Sequence, residues 1–179
     1  MVSIFEKMKI VQCDITKVDV DVIVNASNKS LLGGGGVDGA IHRAAGPDLL
    51  EECKTLWGCE TGEAKITKGY NLKARYIIHT AGPIYNKNKG YEAGQLMNCY
   101  RRSMELATQY GLISIAFPAI SCGVYGYPIQ EASRIALYTV YHYIKWDEVI
   151  KDVRFVLFSD NDFLIYAAAL EDLKELEGV

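Results

Sequence analysis

Asn28, Asp38 and His42 bracket four consecutive glycines in the segment NASNKSLLGGGGVDGAIHRAAG, residues 25–46. The segment follows the apolar run VDVIVN and leads into a helical pattern, so the glycines turn the chain from a strand into a helix. Backbone can approach a ligand closely there. Glycine removes the steric bar to positive φ, its amide is free to donate, and the helix behind adds an N-terminal dipole that favours an anion. Asn28 both donates to and accepts from a hydroxyl, Asp38 offers a carboxylate at the start of the helix, and His42 falls four residues later on the same face. Each also has a plainer explanation. Glycines alone make a flexible turn, Asn28 suits a turn, Asp38 suits the helix dipole, and an Asp-His pair on a helix surface is worth only tenths of a kcal/mol.

A second loop, SCGVYGY at residues 121–127, stands in the same context, after the run SIAFP and before the helix that Pro128 begins. Two loops leaving the carboxyl ends of two strands in one α/β sheet define a crevice for a ligand with more than one phosphate, and a diphosphate is the natural occupant. Gly34, Gly36 and Gly39 also fit the GxGxxG of dinucleotide-binding folds. That pattern wants its helix to lead directly into a strand ending in Asp or Glu about 20 residues on. Here Gly46-Pro47 interrupts the helix and the next strand ends at Lys68. No Gly-Lys-Ser/Thr follows either loop, which disfavours a P-loop nucleotide triphosphatase.

The elements that must hold these loops alternate short apolar runs with longer helical patterns, the signature of an α/β layer architecture. Residues 20–25, 76–81, 114–118 and 153–158 read as buried strands rich in β-branched and aromatic residues, with further strands at 8–12 and 64–67. Leu96, Tyr100, Ser103, Ala107 and Tyr110 recur at spacings of three and four, giving an amphipathic helix over residues 93–110 closed by Gly111. Pro128 should occupy the first position of another helix, with Ile129, Ala132, Ala136, Val140 and Tyr143 as its buried stripe. Gly46-Pro47 ends the helix carrying residues 37–45 and lets one more begin toward Leu56. The segment YNKNKGY, residues 85–91, is the one markedly polar surface loop, and no repeat or linker interrupts a single domain over residues 1–179.

With 179 residues, 50% of them hydrophobic, the chain has material for one sizeable core. Its net charge of -3 and the absence of any cationic run exclude a broad face for duplex nucleic acid. No stretch has the length for a membrane span and the first residues lack a leader-like pattern, so the expected location is cytoplasmic. Five cysteines at irregular spacing and three histidines without a pairing motif imply reduced thiols and no metal site.

Six motifs in order resemble the macro domains, specifically the MacroD-type branch: DIT at 14–16, VIVNASN at 22–28, GGGGVDGAIHRAAGP at 33–47, TGEAKIT at 61–67, IIHTAGP at 77–83 and FPAISCGVYGYP at 117–128. The resemblance covers roughly residues 8 to 170. It implies a three-layer α/β/α sandwich around a six-stranded mixed sheet, with an ADP-ribose cleft at the carboxyl ends of the central strands. By the same resemblance Asp14 accepts from the adenine amino group, the Ile15 amide reads the ring edge, and Phe158 stacks on adenine, although a strand aromatic is as readily core. Gly35, Gly36 and Val37 hold the phosphates from one side. Ser121, Gly123, Val124, Tyr125 and Gly126 wrap phosphates and distal ribose from the other, with the Tyr125 ring over the sugar. Asn28 and Asp38 match the positions that contact the distal ribose and the attacking water, with His42 in a supporting role; His79 reads as a core or cleft-edge residue and His142 as a helix-face residue. Cys122 stands where the branch has Thr, Ser27 where it has Ala, and Cys13 where it has Gly.

Enzymes of this branch hydrolyse ester-linked ADP-ribose, without metal or cofactor, on O-acetyl-ADP-ribose and on proteins mono-ADP-ribosylated at Asp or Glu. The resemblance therefore implies a hydrolase whose partners are ADP-ribose, ADP-ribosylated proteins and O-acetyl-ADP-ribose; the charge balance and apolar pattern add the expectation of neither a nucleic-acid surface nor a membrane, and the lack of a hydrophobic tail or coiled-coil heptad that of a monomer. Positioning of water by Asp38, Asn28 and a substrate phosphate should carry most of the effect, and since a carboxylate of ordinary acidity, pKa ~3.9, is a weak base at neutral pH, general-base action would require a raised pKa or help from that phosphate. The rival is a reader that binds ADP-ribose without cleaving what is attached to it.

Overall fold

Alternation along the central strands dictates layers on both faces of the sheet. In β2 (Val22–Ser27), Val22 and Val24 join one apolar cluster while Ile23 joins another; in β4 (Tyr76–Ala81), Ile78 and Ile77 divide in the same way. β5 (Ser114–Phe117) and β6 (Asp152–Leu157) repeat the pattern, with Ile115, Phe117, Val153 and Phe155 on one side and Ala116 and Val156 on the other. The first cluster is closed by α3 (Glu92–Gln109), α4 (Ile129–Ile144) and α5 (Asp160–Leu176), and the second by α1 (Gly36–Ala45) and α2 (Pro47–Lys54). This computed structural model describes residues 3–86 and 90–179.

With β1 (Met8–Gln12) and β3 (Ala64–Lys68) the sheet has six strands in the order β1-β6-β5-β2-β4-β3. All pairs are parallel except β3 with β4, so the sheet is mixed and the whole is the expected α/β/α sandwich. The five parallel strands present their carboxyl ends along one edge, where the loops before α1 and before α4 face each other.

Several expectations need correction in detail. The second strand starts and ends two residues later than its apolar run, because Asp21 is used at its base: its carboxylate accepts from the Ile113 amide (2.8 Å) and the Ser114 amide (3.3 Å) and ties β2 to β5. Pro128 caps α4 rather than entering it, with ψ of 124° and its carbonyl accepting from the Ala132 amide. Tyr110 leaves the buried stripe of α3 and packs its ring edge against Tyr76. Helix α5 has no counterpart in the sequence expectations, although Ser159 caps it by accepting from the Asp162 amide and Tyr166, Ala169, Leu170 and Leu173 form its buried face. Of the polar loop at 85–91, residues 87–89 lie outside the described residues.

Candidate functional site

A cavity of about 200 Å³ opens between the two glycine loops, lined by Asn28, Gly34, Gly35, Gly36, Val37, Asp38, Gly82, Ser121, Gly123, Val124 and Tyr125 among others. A second of about 470 Å³ continues from it toward β1 and β6, lined by Asp14, Ile15, Phe158 and Asp162 and sharing Gly36, Val37, Ala119 and Gly123 with the first. The two are one bent cleft across the carboxyl ends of β1, β6, β5 and β2.

The cleft floor is lined by backbone amides at the start of a helix. Helix α1 begins at Gly36, whose φ of +58° lets the chain swing into the helix with its first amides facing the opening. Among the described residues no protein acceptor meets the amides of Gly35, Gly36 and Val37, or those of Gly123, Val124 and Tyr125. The second loop is folded on itself by Gly126 N–H to the Gly123 carbonyl and Tyr127 N–H to the Ser121 carbonyl. Tyr100, from α3, holds its root: the buried hydroxyl donates to the Pro118 carbonyl and accepts from the Ile120 amide. Ser121 is buried with φ of +65°, and its Oγ has no partner among the described residues. Gly82 permits this approach, since a β-carbon there would stand 2.2 Å from that oxygen.

Asn28 and Asp38 converge on one point. A β-carbon on Gly34 would lie 3.1 Å from Asp38 Oδ2 and 3.6 Å from Asn28 Nδ2, so glycine alone leaves the space between them open. Asn28 also shapes its loop, donating to the Gly33 carbonyl and accepting from the Ser30 amide and hydroxyl, which leaves one amide hydrogen for a ligand. Asp38 is buried, and its Oδ1 accepts from Asn25 Nδ2 at 2.8 Å. His42 lines neither cavity: its Nε2 stands 3.4 Å from Asp38 Oδ1, too poorly aligned to satisfy the ring nitrogen, and the side chain lies behind the carboxylate.

At the far end, Asp14 caps the 3-10 turn Ile15–Lys17, its Oδ1 accepting from the Thr16 hydroxyl and amide. Those two bonds, the hydroxyl's first, hold its pKa below the ordinary carboxylate range. Its turn-capping and its place in the cleft are thus compatible. Phe158 is 86% exposed and so is not core. Cys122 sits in the second loop, and burial, then Asp162, pushes its thiol up to about 12, which keeps it protonated at neutral pH. Among the described residues no group of three metal-ligating side chains gathers.

Sequence reasoning passed over Asn25, Gly82 and Tyr100. Asn25 carried a signal, as the polar residue that follows Ile23 on the same strand face; Gly82 and Tyr100 act through approach and anchoring, which spacing does not reveal.

The macro domain family model matches residues 24–136, the stretch that holds both glycine loops. The chain belongs to the macro domain family. A macro domain-containing protein of Chlorobaculum tepidum is 54% identical over 160 residues, covering 89% of this chain and 93% of that one. The ADP-ribose glycohydrolase MACROD2 of Xenopus laevis is 50% identical over 178 residues, 98% of this chain, but the match spans only 43% of that longer protein. Among solved structures, the Oceanobacillus iheyensis macrodomain with ADP aligns with a TM-score of 0.91 at 50% identity, covering 93% of this macro domain and 91% of the other. The Trypanosoma brucei macrodomain in complex with ADP-ribose aligns at 0.89 and 42% identity, covering 93% and 70%.

Proposed function

We propose that this macro domain binds ADP-ribose and hydrolyses the ester that joins its distal ribose to a carboxyl group. The observation that carries the reading is the convergence of Asn28 and Asp38 on the open space over Gly34, at the head of a cleft floored by unpaired amides. The unpaired amides suit a diphosphate, the wide end with Asp14 and Phe158 suits adenine, and the narrow end holds the distal ribose beside Asn28 and Asp38. A water held by Asp38 adds across the ester, leaving a free carboxyl group on one product and a restored hydroxyl on ADP-ribose. Fixing that water against the bond supplies most of the rate. Kinship with an ADP-ribose glycohydrolase and with macrodomains solved with ADP and ADP-ribose supports the same ligand. O-acetyl-ADP-ribose and proteins carrying mono-ADP-ribose on Asp or Glu are the substrates this chemistry fits.

The test incubates the protein with a glutamate-linked mono-ADP-ribosylated protein and follows release of ADP-ribose. Wild type should release it and Asp38→Ala should lose at least about 100-fold in kcat while still binding ADP-ribose. ADP-ribose binding with no release by wild type would identify a reader instead, and NAD bound as tightly as ADP-ribose would remove the ligand assignment.

A further inference from the structure

Behind Asp38 runs a line of buried polar groups that touches no part of the cleft. Asn25 on β2 and His79 on β4 are register partners, both fully buried, and both face the α1 side of the sheet. Asn25 Nδ2 lies 2.8 Å from Asp38 Oδ1 and 3.1 Å from His79 Nδ1. On the other side of the ring, His79 Nε2 lies 2.9 Å from Thr67 Oγ1, with the Cys53 sulfur at 4.0 Å. Thr67, on the edge strand β3, donates its own hydroxyl to the Lys68 carbonyl at 3.2 Å.

Proton accounting leaves one solution. The Asn25 atom that faces the Asp38 carboxylate must be the nitrogen, because the amide oxygen there would set two acceptors against each other. That same nitrogen spends its second hydrogen on His79, so Nδ1 must be a bare acceptor and the ring proton must sit on Nε2. Nε2–H then needs an acceptor, and Thr67 Oγ1 serves with its own hydrogen directed to the Lys68 carbonyl. A neutral ring is required throughout, and burial holds it neutral by pushing its pKa down to about 3.

We infer that Thr67 is a positioning residue for hydrolysis: by fixing the tautomer of His79 it fixes the amide orientation of Asn25, which in turn aims the Asp38 carboxylate into the cleft. This inference rests on the hydrolase reading above. Without the Thr67 hydroxyl the buried Nε2–H loses its acceptor, and that cost drives the ring proton toward Nδ1, where it confronts the Asn25 nitrogen. The amide must then turn its oxygen to His79, which sets that oxygen against Asp38 and releases the carboxylate. Which nitrogen of a histidine bears the proton is ordinarily set by the partner of the other nitrogen, and here that partner lies two strands from the reaction.

The experiment uses the full chain as wild type, Thr67→Val and Thr67→Ser, with kcat and KM for ADP-ribose release, the Kd of ADP-ribose, and imidazole nitrogen chemical shifts by NMR. Wild type and Thr67→Ser should show the Nε2–H tautomer of His79, and Thr67→Val a mixture. Thr67→Val should lose about ten-fold or more in kcat with KM and Kd within about two-fold, and Thr67→Ser should recover it. If Thr67→Val does not fold, His79→Asn, which keeps an acceptor for Asn25, should retain more kcat than His79→Leu. An Nδ1–H tautomer in wild type, an unchanged kcat in Thr67→Val, or equal losses in His79→Asn and His79→Leu would overturn the inference. Absence of release by wild type would remove the hydrolase reading instead, and the NMR spectra would still decide the tautomer.

Discussion

Asn25 donates to the Asp38 carboxylate across 2.8 Å, from the interior of the central strand to the first turn of the helix behind the glycine loop. The bond ties a fully buried position of the sheet to the residue proposed to hold water. An aspartate in the first turn of a helix is otherwise placed only by the dipole, which orients nothing. Burial raises the stakes, because a carboxylate removed from water must find donors within the protein.

Asn25→Leu follows directly. It takes the amide donor from the buried Asp38 carboxylate and from His79 Nδ1, so stability should fall by about 2–4 kcal/mol. Urea denaturation of wild type and variant measures it; a loss under about 0.5 kcal/mol would mean that water replaces the amide without cost.

His79 predicts acid lability with a definite sign. Burial, then the neighbouring His42, depresses its pKa to about 3, whereas in the unfolded chain a histidine takes up its proton near pH ~6.5. Between those values the unfolded state binds more protons, so this stabilising contribution is complete above ~6.5 and is lost as pH falls toward about 3. The slope from this group approaches ~1.4 kcal/mol per pH unit. Urea midpoints taken from roughly pH 7 down to pH 4 should decline in wild type and less so in His79→Asn; parallel profiles would remove His79 as the source.

The Asn25–Asp38 bond also marks where sequence reading stops. Strand and helix identities were legible because apolar period and glycine punctuation report burial directly, and two glycine loops between strands and helices sufficed for a phosphate crevice. Asp14 and Phe158 reached the cleft through resemblance alone: a capping Asp and a strand-end aromatic have ordinary explanations, and only the 86% exposure of Phe158 removes one of them. Helix α5 was overlooked although its buried residues keep helical spacing, because its exposed face also carries Leu164 and Leu176 and blurs the stripe. What the sequence could not offer was pairing across strands. Register sets Asn25 beside His79, and no local pattern encodes register.

Phe158 tests the wide end of the cleft. Since its ring packs on no core cluster, Phe158→Ala should leave the melting temperature within about 1 °C of wild type while weakening ADP-ribose by ~1–3 kcal/mol, the usual worth of a base stacked on an aromatic ring. Calorimetry against ADP-ribose and against ribose 5-phosphate separates the cases. An equal loss for both ligands would move Phe158 away from the adenine.

Ser121 sets stability against binding. Its φ of +65° is a left-handed conformation that a non-glycine residue adopts at a cost of about 1 kcal/mol or more, and its buried Oγ has no partner among the described residues. Neither cost benefits the folded chain by itself. Both make sense if the hydroxyl is held ready for a ligand group in the cavity it lines. Ser121→Gly accepts the same φ, removes the unpaired hydroxyl and keeps the loop's backbone bond to the Tyr127 amide. The variant should therefore be at least as stable as wild type, by up to about 1 kcal/mol, yet bind ADP-ribose roughly five-fold more weakly through one lost hydrogen bond. Paired urea and calorimetric measurements decide it: a less stable variant with unchanged affinity would make Ser121 a structural residue of the loop rather than a contact held in reserve.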